Sequence, residues 1–501
     1  MIEAQPAAPA TATATEPASR LGRNVAALAG GQLVTWTMTL GWTLVVPRLL
    51  GPAGMGLIVA AWSVTGILGV VLGLGTRNYL VRALVVDRAE TPRLVGTAIA
   101  LRVLLSPVFV AAVVVYAQLA HYGHEGTLVL YLAAGAMIFT LLAEPMQAAF
   151  QAMERMEYLA YSDVLNKSAQ SLFGILLALA GVRAAGMMGC WMVVAGVVIV
   201  LDVLWLRRWS PIDLRTSPAR LAHMTRESLA YWAFGLFFLI YLWIDSVMLS
   251  LLTSPEVVGW YGVPMKLFQT LMFLPVVVST AWLPRLVDAF RRGPARLAQE
   301  ARRPVELVLV LALPLSAAVA VAAAPGIRLL YGPAYAEAVP VMVILGLCLP
   351  PMYLNIMLSQ VLVAAGRQIA WTWVMAGATV VNPLLNAALI PATQARFGNG
   401  ATGAAVSLLL TELLIVGVGF ALAGRDVLGR AAARRGALAA VAAGAMCAVA
   451  FASRPLLGDL ASALAGALTF VALAAALRLA TAEEIAFARA RLRRLTGRTP
   501  A

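Results

Sequence analysis

Apolar residues in this chain come in long unbroken runs, not in strict alternation and not in narrow stripes. A run of about 18 residues or more is long enough to cross a bilayer as a helix. Fourteen such runs can be counted, at 24–47, 56–75, 94–118, 126–149, 163–182, 184–206, 228–252, 257–283, 305–324, 338–364, 369–391, 402–424, 437–453 and 457–480. Barrel strands would instead show a period of two over about ten residues, so a β-barrel is excluded. The pattern predicts an all-α polytopic membrane protein with about fourteen transmembrane helices. Gly51, Pro52 and Gly54 predict a tight hairpin between the first two.

The longest internal polar interval, near 207–228, divides the runs into two sets of six plus a final pair. The organisation therefore reads as a disordered tail over 1–22, a six-helix lobe over 23–208 and a linker over 209–227. A second six-helix lobe follows over 228–424, then two extra helices over 425–480 and a basic tail over 481–501. LLGPAGMG (49–56) and LLTSPEVVG (251–259) follow the first helix of each lobe in the same order, Leu-Leu, then Pro, then Gly. Six helices per unit is an even number, so the repeats are expected to run parallel.

Composition agrees with this picture: 61% of the 501 residues are hydrophobic and 12% are charged. The net charge of +14 is not a nucleic-acid signature, because the charge is sorted by loop. With the N-terminus inside, 29 arginines fall in the tails and cytoplasmic loops and five in the outer loops. That asymmetry places both termini in the cytoplasm. The excess of Arg over Lys, with the Ala bias, points to a GC-rich bacterial genome and hence to the bacterial cytoplasmic (inner) membrane. Cys190, Cys348 and Cys447 lie inside predicted helices, and His121, His124 and His223 lie in loops. None has metal or redox spacing, so neither a disulfide framework nor a metal site is expected.

Polar residues inside apolar runs carry the functional signal. An ionised side chain at the centre of a membrane helix costs about 2.5–3.5 kcal/mol on insertion scales, so it must face protein, water or a ligand. Lys266 lies in the run Val258–Gly293, on one face with Gln269 and Thr270. Pro264 is read as lying near the start of that helix and Pro275 as kinking its middle. Asp245, on the preceding helix, is read at similar depth to Lys266, to be paired with it directly or bridged to it by water or an ion. Arg102 and Glu144, on consecutive helices, are expected to pair. The basic segment 75–93 reads as an interfacial helix whose Arg77 and Arg82 either act simply as positive-inside residues or reach an anionic headgroup at the inner mouth. Asn355 follows the Pro350-Pro351 break. Thr379, Asn382 and Asn386 share a face, and Pro383 frees the Thr379 carbonyl, a set that reads either as cation ligands or as an interhelical polar clamp. Ser407, Thr411 and Glu412 follow on the next helix but one in the run count after Asn355. The candidate substrate-contacting set is thus Lys266, Gln269, Arg77, Arg102 and Asn355, and the candidate cation-coupling set is Asp245, Asn382, Asn386, Ser407 and Glu412. Short outer loops with no convergent acid/base cluster argue against an enzyme.

Several segments resemble a known family: RLLGPAGMG (48–56), FQAMERMEY (150–158), WIDSVMLSLLTSPEVVGWYGVPMKLFQ (243–269) with LPRL (283–286), LYGPAYAEA (330–338), and NPLLNAALIP (382–391) with GATGAA (400–405). In this order, over residues 20–480, the chain resembles the Wzx-type oligosaccharide and polysaccharide flippases of the multidrug/oligosaccharidyl-lipid/polysaccharide (MOP) superfamily. The resemblance implies two six-helix lobes in a V around a central cavity, plus two C-terminal helices, working by alternating access. It implies an undecaprenyl-pyrophosphate-linked oligosaccharide as substrate, an O-antigen or exopolysaccharide repeat unit, with membrane lipid, a polysaccharide polymerase and glycosyltransferases as partners. No cofactor is implied beyond a coupling Na+ or H+. Lys266 matches a basic cavity position on the eighth helix of the related lipid II flippases. Asp245, Asn382 and Asn386, with Ser407 a weaker match, resemble their sodium site. The first helix lacks the paired basic residues of those flippases, which argues against a peptidoglycan precursor. A cation-coupled multidrug exporter and a lipid II flippase remain the alternative readings.

Overall fold

The computed structural model describes residues 16–479, and all of its regular structure is helical, with no strand among the described residues. The helices are α1 (Glu16–Gly73), α2 (Thr76–Val86), α3 (Thr91–Leu119), α4 (His124–Ala152), α5 (Met156–Leu179), α6 (Ala184–Leu206), α7 (Pro218–Leu252), α8 (Pro255–Leu271), α9 (Phe273–Arg291), α10 (Pro294–Tyr331), α11 (Ala338–Ala364), α12 (Gln368–Phe397), α13 (Gly400–Ala423) and α14 (Arg430–Ala476). The tails expected over 1–22 and 481–501 lie outside the described residues, except that α1 already includes 16–22.

Two helices are too long to be single crossings. At 1.5 Å per residue, the 58 residues of α1 and 47 of α14 correspond to roughly 90 and 70 Å, against about 30 Å of hydrocarbon. Each is interrupted by a glycine with non-helical torsions, Gly51 (φ 72°, ψ 172°) and Gly458 (φ 75°, ψ 175°). An L side chain at Gly51 would be strained. This break falls in the Gly-Pro-x-Gly run, and Tyr335 of the LYGPAYAEA segment donates to the nearby Pro47 carbonyl at 3.1 Å. Ten helical stretches among the described residues are long and apolar enough to cross a membrane. Because α1 and α14 each hold two of the expected runs, and α5 and α7 hold one each, all fourteen runs fall on helices, to within a few residues at their ends.

Proline shapes the stretch that carries Lys266. The helix begins at Pro255, so Pro264 is interior and not in the first turn. Pro275 acts as expected. It has no N–H to give the Leu271 carbonyl four residues back, and the helix breaks at Met272 between α8 and α9. The freed Leu271 carbonyl accepts the Tyr353 hydroxyl at 2.7 Å. The polar linker also differs from a uniform loop. Its second half is the first turns of α7, begun by Pro218 after Ser217, whose hydroxyl accepts the Arg220 N–H at 3.3 Å.

The described chain packs as two compact units. The first comprises the chain up to Trp42, Leu68–Ala112 and Tyr131–Ala233; the second comprises Thr43–Ile67, Val113–Leu130 and the chain from Phe234 on. In the first unit, α2 turns Leu80 and Leu84 onto Val95 and Leu101 of α3, Met146 and Phe150 of α4, and Leu206 of α6. Asn78 and Arg82 stay exposed on the outward side, which makes α2 the amphipathic helix the sequence predicts, and Val85 and Val86 are exposed at its end. In the second unit α10 packs on α11 and α14, and α13 on α11 and α12. The outward leucines of α14 and the outward Trp373, Val380 and Leu384 of α12 leave an apolar surface, as a helix facing hydrocarbon requires.

Candidate functional site

The second unit holds two buried carboxylates whose hydrogen-bond partners are all neutral. Asp245 of α7 is 2% exposed. Tyr261 of α8 donates its hydroxyl to Asp245 Oδ2 at 2.6 Å, and Asn386 of α12 donates Nδ2 to Oδ1 at 2.6 Å. The same Asn386 amide also reaches Asn382 Oδ1 at 2.9 Å. Glu412 of α13, equally buried, accepts the Tyr241 hydroxyl at 2.5 Å and the Asn355 amide. The two carboxylates lie within electrostatic reach of one another. On the two amides that hold these carboxylates, Asn386 Oδ1 and Asn355 Oδ1 accept no hydrogen bond. A buried carboxylate without a counter-charge is costly, so the site calls for a cation or a proton. Among the described residues no three His, Cys, Asp or Glu side chains converge as a metal cluster. The donor set is one of hard oxygens, carboxylate and amide, which suits a hard cation and not one that prefers thiolate or imidazole.

Lys266 is not the partner of Asp245. The α7–α8 connection explains why. Counted from that turn, Tyr261 lies about as deep as Asp245, whereas Lys266 lies five residues further, roughly 7 Å deeper at helical rise. Lys266 is instead partly buried with its ammonium over the Trp62 ring, 4.2 Å from the centroid, a cation–π geometry. Trp62 is brought there by a backbone seam between α1 beyond Gly51 and α8. A Cβ on Gly56 would sit 1.7 Å from the Pro255 carbonyl oxygen, and one on Gly259 2.1 Å from that of Pro52. Only glycine permits that approach. One turn deeper, Val59 packs on Gly262, and one turn deeper again Trp62 meets Lys266.

The other candidates separate. Arg102 is 1% exposed and closed in by Glu144 Oε2 at 2.7 Å, the Thr76 hydroxyl at 2.9 Å and the Leu141 carbonyl. The pairing with Glu144 expected from the sequence is present. Arg77 is partly buried and within electrostatic reach of Arg102, in the first unit. Gln269 is partly buried one turn beyond Lys266, but Thr270 is exposed. Asn355 belongs with Glu412 instead of with Lys266. Ser407, fully buried, gives its hydroxyl to the Gly403 carbonyl of its own helix at 3.0 Å. Asp202, 0% exposed in the first unit, takes hydrogen bonds from Ser162 and from Gln147 at 3.1 Å. Sequence reasoning missed Tyr241, Tyr261 and Trp62. Tyr and Trp in apolar helices usually mark the membrane interface. Equal depth across the α7–α8 turn was the signal that would have found Tyr261.

The polysaccharide biosynthesis protein family matches residues 21–290, and the MatE family matches residues 233–388. No curated protein matches the chain by sequence. Among solved structures the chain is similar to the lipid II flippase MurJ in an inward closed conformation, with a TM-score of 0.70 and 12% identity over 89% of this chain and 98% of that one. It is also similar to an inward-facing multidrug resistance MATE family transporter of the MOP superfamily, with a TM-score of 0.57 and 13% identity over 81% and 97%. An outward-facing MATE structure gives 0.50 and 14% over 82% and 96%. At such identities the likeness is one of fold, and it is the polytopic helical fold expected from the apolar runs.

Proposed function

The chain belongs to the polysaccharide biosynthesis protein family, and from that premise we propose that it is a flippase for an undecaprenyl-pyrophosphate-linked oligosaccharide. Its work is to carry the headgroup from the cytoplasmic to the periplasmic face of the bacterial inner membrane by alternating access, with both termini in the cytoplasm. No bond is made or broken, so the chain is a transporter and not an enzyme. A polysaccharide polymerase and glycosyltransferases are the partners such a step implies.

The observation that carries this reading is Lys266. A diphosphate has no compensating hydrogen bonds in hydrocarbon, and an ammonium in a low-dielectric site attracts it strongly. The Trp62 ring lies 4.2 Å from the ammonium, and a diphosphate is the kind of anion an ammonium at this depth would attract. The Asp245 cluster supports ion coupling, since Asp245, Asn382 and Asn386 would hold a Na+ ion through oxygen atoms. A bound cation supplies the charge that the buried carboxylate lacks. The MatE match spans all three residues. Glu412, with Tyr241 and Asn355, is a second carboxylate of the same kind.

Complementation of surface polysaccharide synthesis tests the assignment. Lys266→Ala is expected to abolish it, with lipid-linked repeat units accumulating on the cytoplasmic face, and Lys266→Arg to restore part of it by keeping charge but changing donor geometry. Full function in Lys266→Ala, at normal protein level, would sink the substrate role of this lysine.

A further inference from the structure

The first unit contains an open cavity of about 770 Å³ that plays no part in the reading above. It is formed by α2, the start of α3 and the first turns of α7. Its floor is apolar, with Leu94 and Met224 resting on the core around Leu80 and Leu84. Its walls carry three arginines and three carboxylates, mostly matched. Arg82 donates to the Tyr231 hydroxyl at 3.3 Å, and Glu227 acts electrostatically on both Arg82 and Tyr79. Burial and the Glu227 charge together push the Tyr79 phenol up, so it stays a hydroxyl. Arg93 pairs with Glu90 at 3.2 Å, and Asp87 accepts the Ala89 N–H at 2.9 Å. Arg220 and His223 complete the lining, exposed and without an acidic partner among the described residues.

A lining of this kind suits a polyol. Carboxylates and tyrosine hydroxyls accept from sugar hydroxyls, arginines donate to them in pairs, and tyrosine faces cover the C–H surface of a sugar ring. A small, multiply charged anion would meet carboxylates here as often as guanidinium groups. The contrast lies in the second unit, at the α9–α10 elbow. There a cavity of about 720 Å³ is lined by Arg285, Arg292, Arg296 and Arg303 against Asp288 and Glu300. That balance favours phosphate, and the first does not. A volume of 770 Å³ is in the range that encloses an organic ligand of several rings.

We propose that the α2–α3–α7 cavity binds the glycan part of the transported molecule, a short oligosaccharide bearing one acidic group that is seated on Arg220 and His223. This rests on the flippase reading and adds to it a site for the sugars, separate from Lys266. The probe is the soluble oligosaccharide released by mild acid from the lipid-linked pool of a strain lacking this protein. Binding is measured by calorimetry to the full chain in lipid nanodiscs. Wild type is expected to bind it. Arg220→Gln/His223→Gln is expected to bind about tenfold more weakly with an unchanged melting temperature, because neither side chain has an ion partner among the described residues. Reducing the carboxyl of the probe should produce the same loss in wild type, and inorganic pyrophosphate should not displace it. Equal binding by the double variant, displacement by pyrophosphate, a released glycan without an acidic group, or no binding by wild type would each overturn the site while leaving the flippase reading standing. A deletion strain with no accumulated lipid-linked glycan would instead remove that reading, and this site with it.

Discussion

In the first unit, the buried Arg102 guanidinium meets a carboxylate at 2.7 Å, a hydroxyl and a carbonyl. In the second, the equally buried Asp245 and Glu412 meet two tyrosine hydroxyls and two amides, and no cationic side chain among the described residues. The first arrangement is electrically complete and leaves a ligand nothing to add. The second is one positive charge short at each carboxylate, so a bound cation or proton changes its energy directly. Burial of charge therefore does not by itself mark function; the absence of a counter-charge is what distinguishes the two. Asp202 refines the point. It too has only neutral partners, Ser162 and Gln147, so the contrast follows the partner set and not the unit.

The largest effect on stability is expected where the charge is complete. Glu144→Ala leaves the Arg102 guanidinium buried with only neutral acceptors. Breaking a buried pair in this way costs about 3–5 kcal/mol. Glu144 is 26% exposed, so water replaces part of its role, and a loss near the lower end, about 3 kcal/mol, is expected in chemical unfolding of the purified protein. Arg102→Met with Glu144→Leu should recover most of it, because an apolar pair of similar volume needs no partner. Wild-type stability in Glu144→Ala would remove the basis of the comparison.

Asp245 should behave the other way. Asp245→Asn keeps the shape and still accepts the Tyr261 hydroxyl, and its new N–H meets Asn386 once that amide turns over to present Oδ1, which accepts no hydrogen bond in the wild type. Stability is expected to stay within about 1 kcal/mol of wild type or to rise, since a charge without a counter-ion has been removed. Gradient-driven transport should be lost. Tyr261→Phe, which removes a hydrogen bond to a charged group, should cost about 1.5–2 kcal/mol in wild type. In the Asp245→Asn background it should cost less, because the acceptor is then neutral. Equal costs in both backgrounds would show that Asp245 is already protonated in the resting protein, and retained transport in Asp245→Asn would make the cluster a structural clamp.

The membrane architecture was legible because it rests on one-dimensional information. Fourteen apolar runs specify where the helices lie, Gly51 and Pro275 specify where a helix must break, and the helical face shared by Asn382 and Asn386 specifies that they meet one neighbour. Which neighbour is a question of depth, and depth depends on where a helix begins. Starting the eighth crossing at Pro255 moved Lys266 past Asp245 and put Tyr261 beside it. Trp62 was hidden for a different reason. Its contact with Lys266 depends on the Gly56–Gly259 approach between α1 and α8, which lie some 200 residues apart in the chain, and no local pattern reports such a pairing.

The smallest effect is expected at Ser407, and it sets the boundary of the Asp245 cluster. Ser407 matches a sodium-site position by resemblance and is fully buried, yet its hydroxyl bonds back to Gly403 within α13. Its own carbonyl accepts the Thr411 hydroxyl at 2.8 Å in the same manner. Such back-bonds duplicate acceptors that the helix already satisfies, and they add little to stability. Ser407→Ala leaves no donor or acceptor stranded, so a change below about 0.5 kcal/mol is expected. Transport, and its dependence on an imposed sodium gradient, should be unchanged in reconstituted vesicles. A weakened sodium dependence at unchanged stability would instead put the Ser407 hydroxyl among the cation ligands in a conformation other than this one. The cluster would then extend to α13, and Glu412, one turn and a half further along that helix, would become part of the same site.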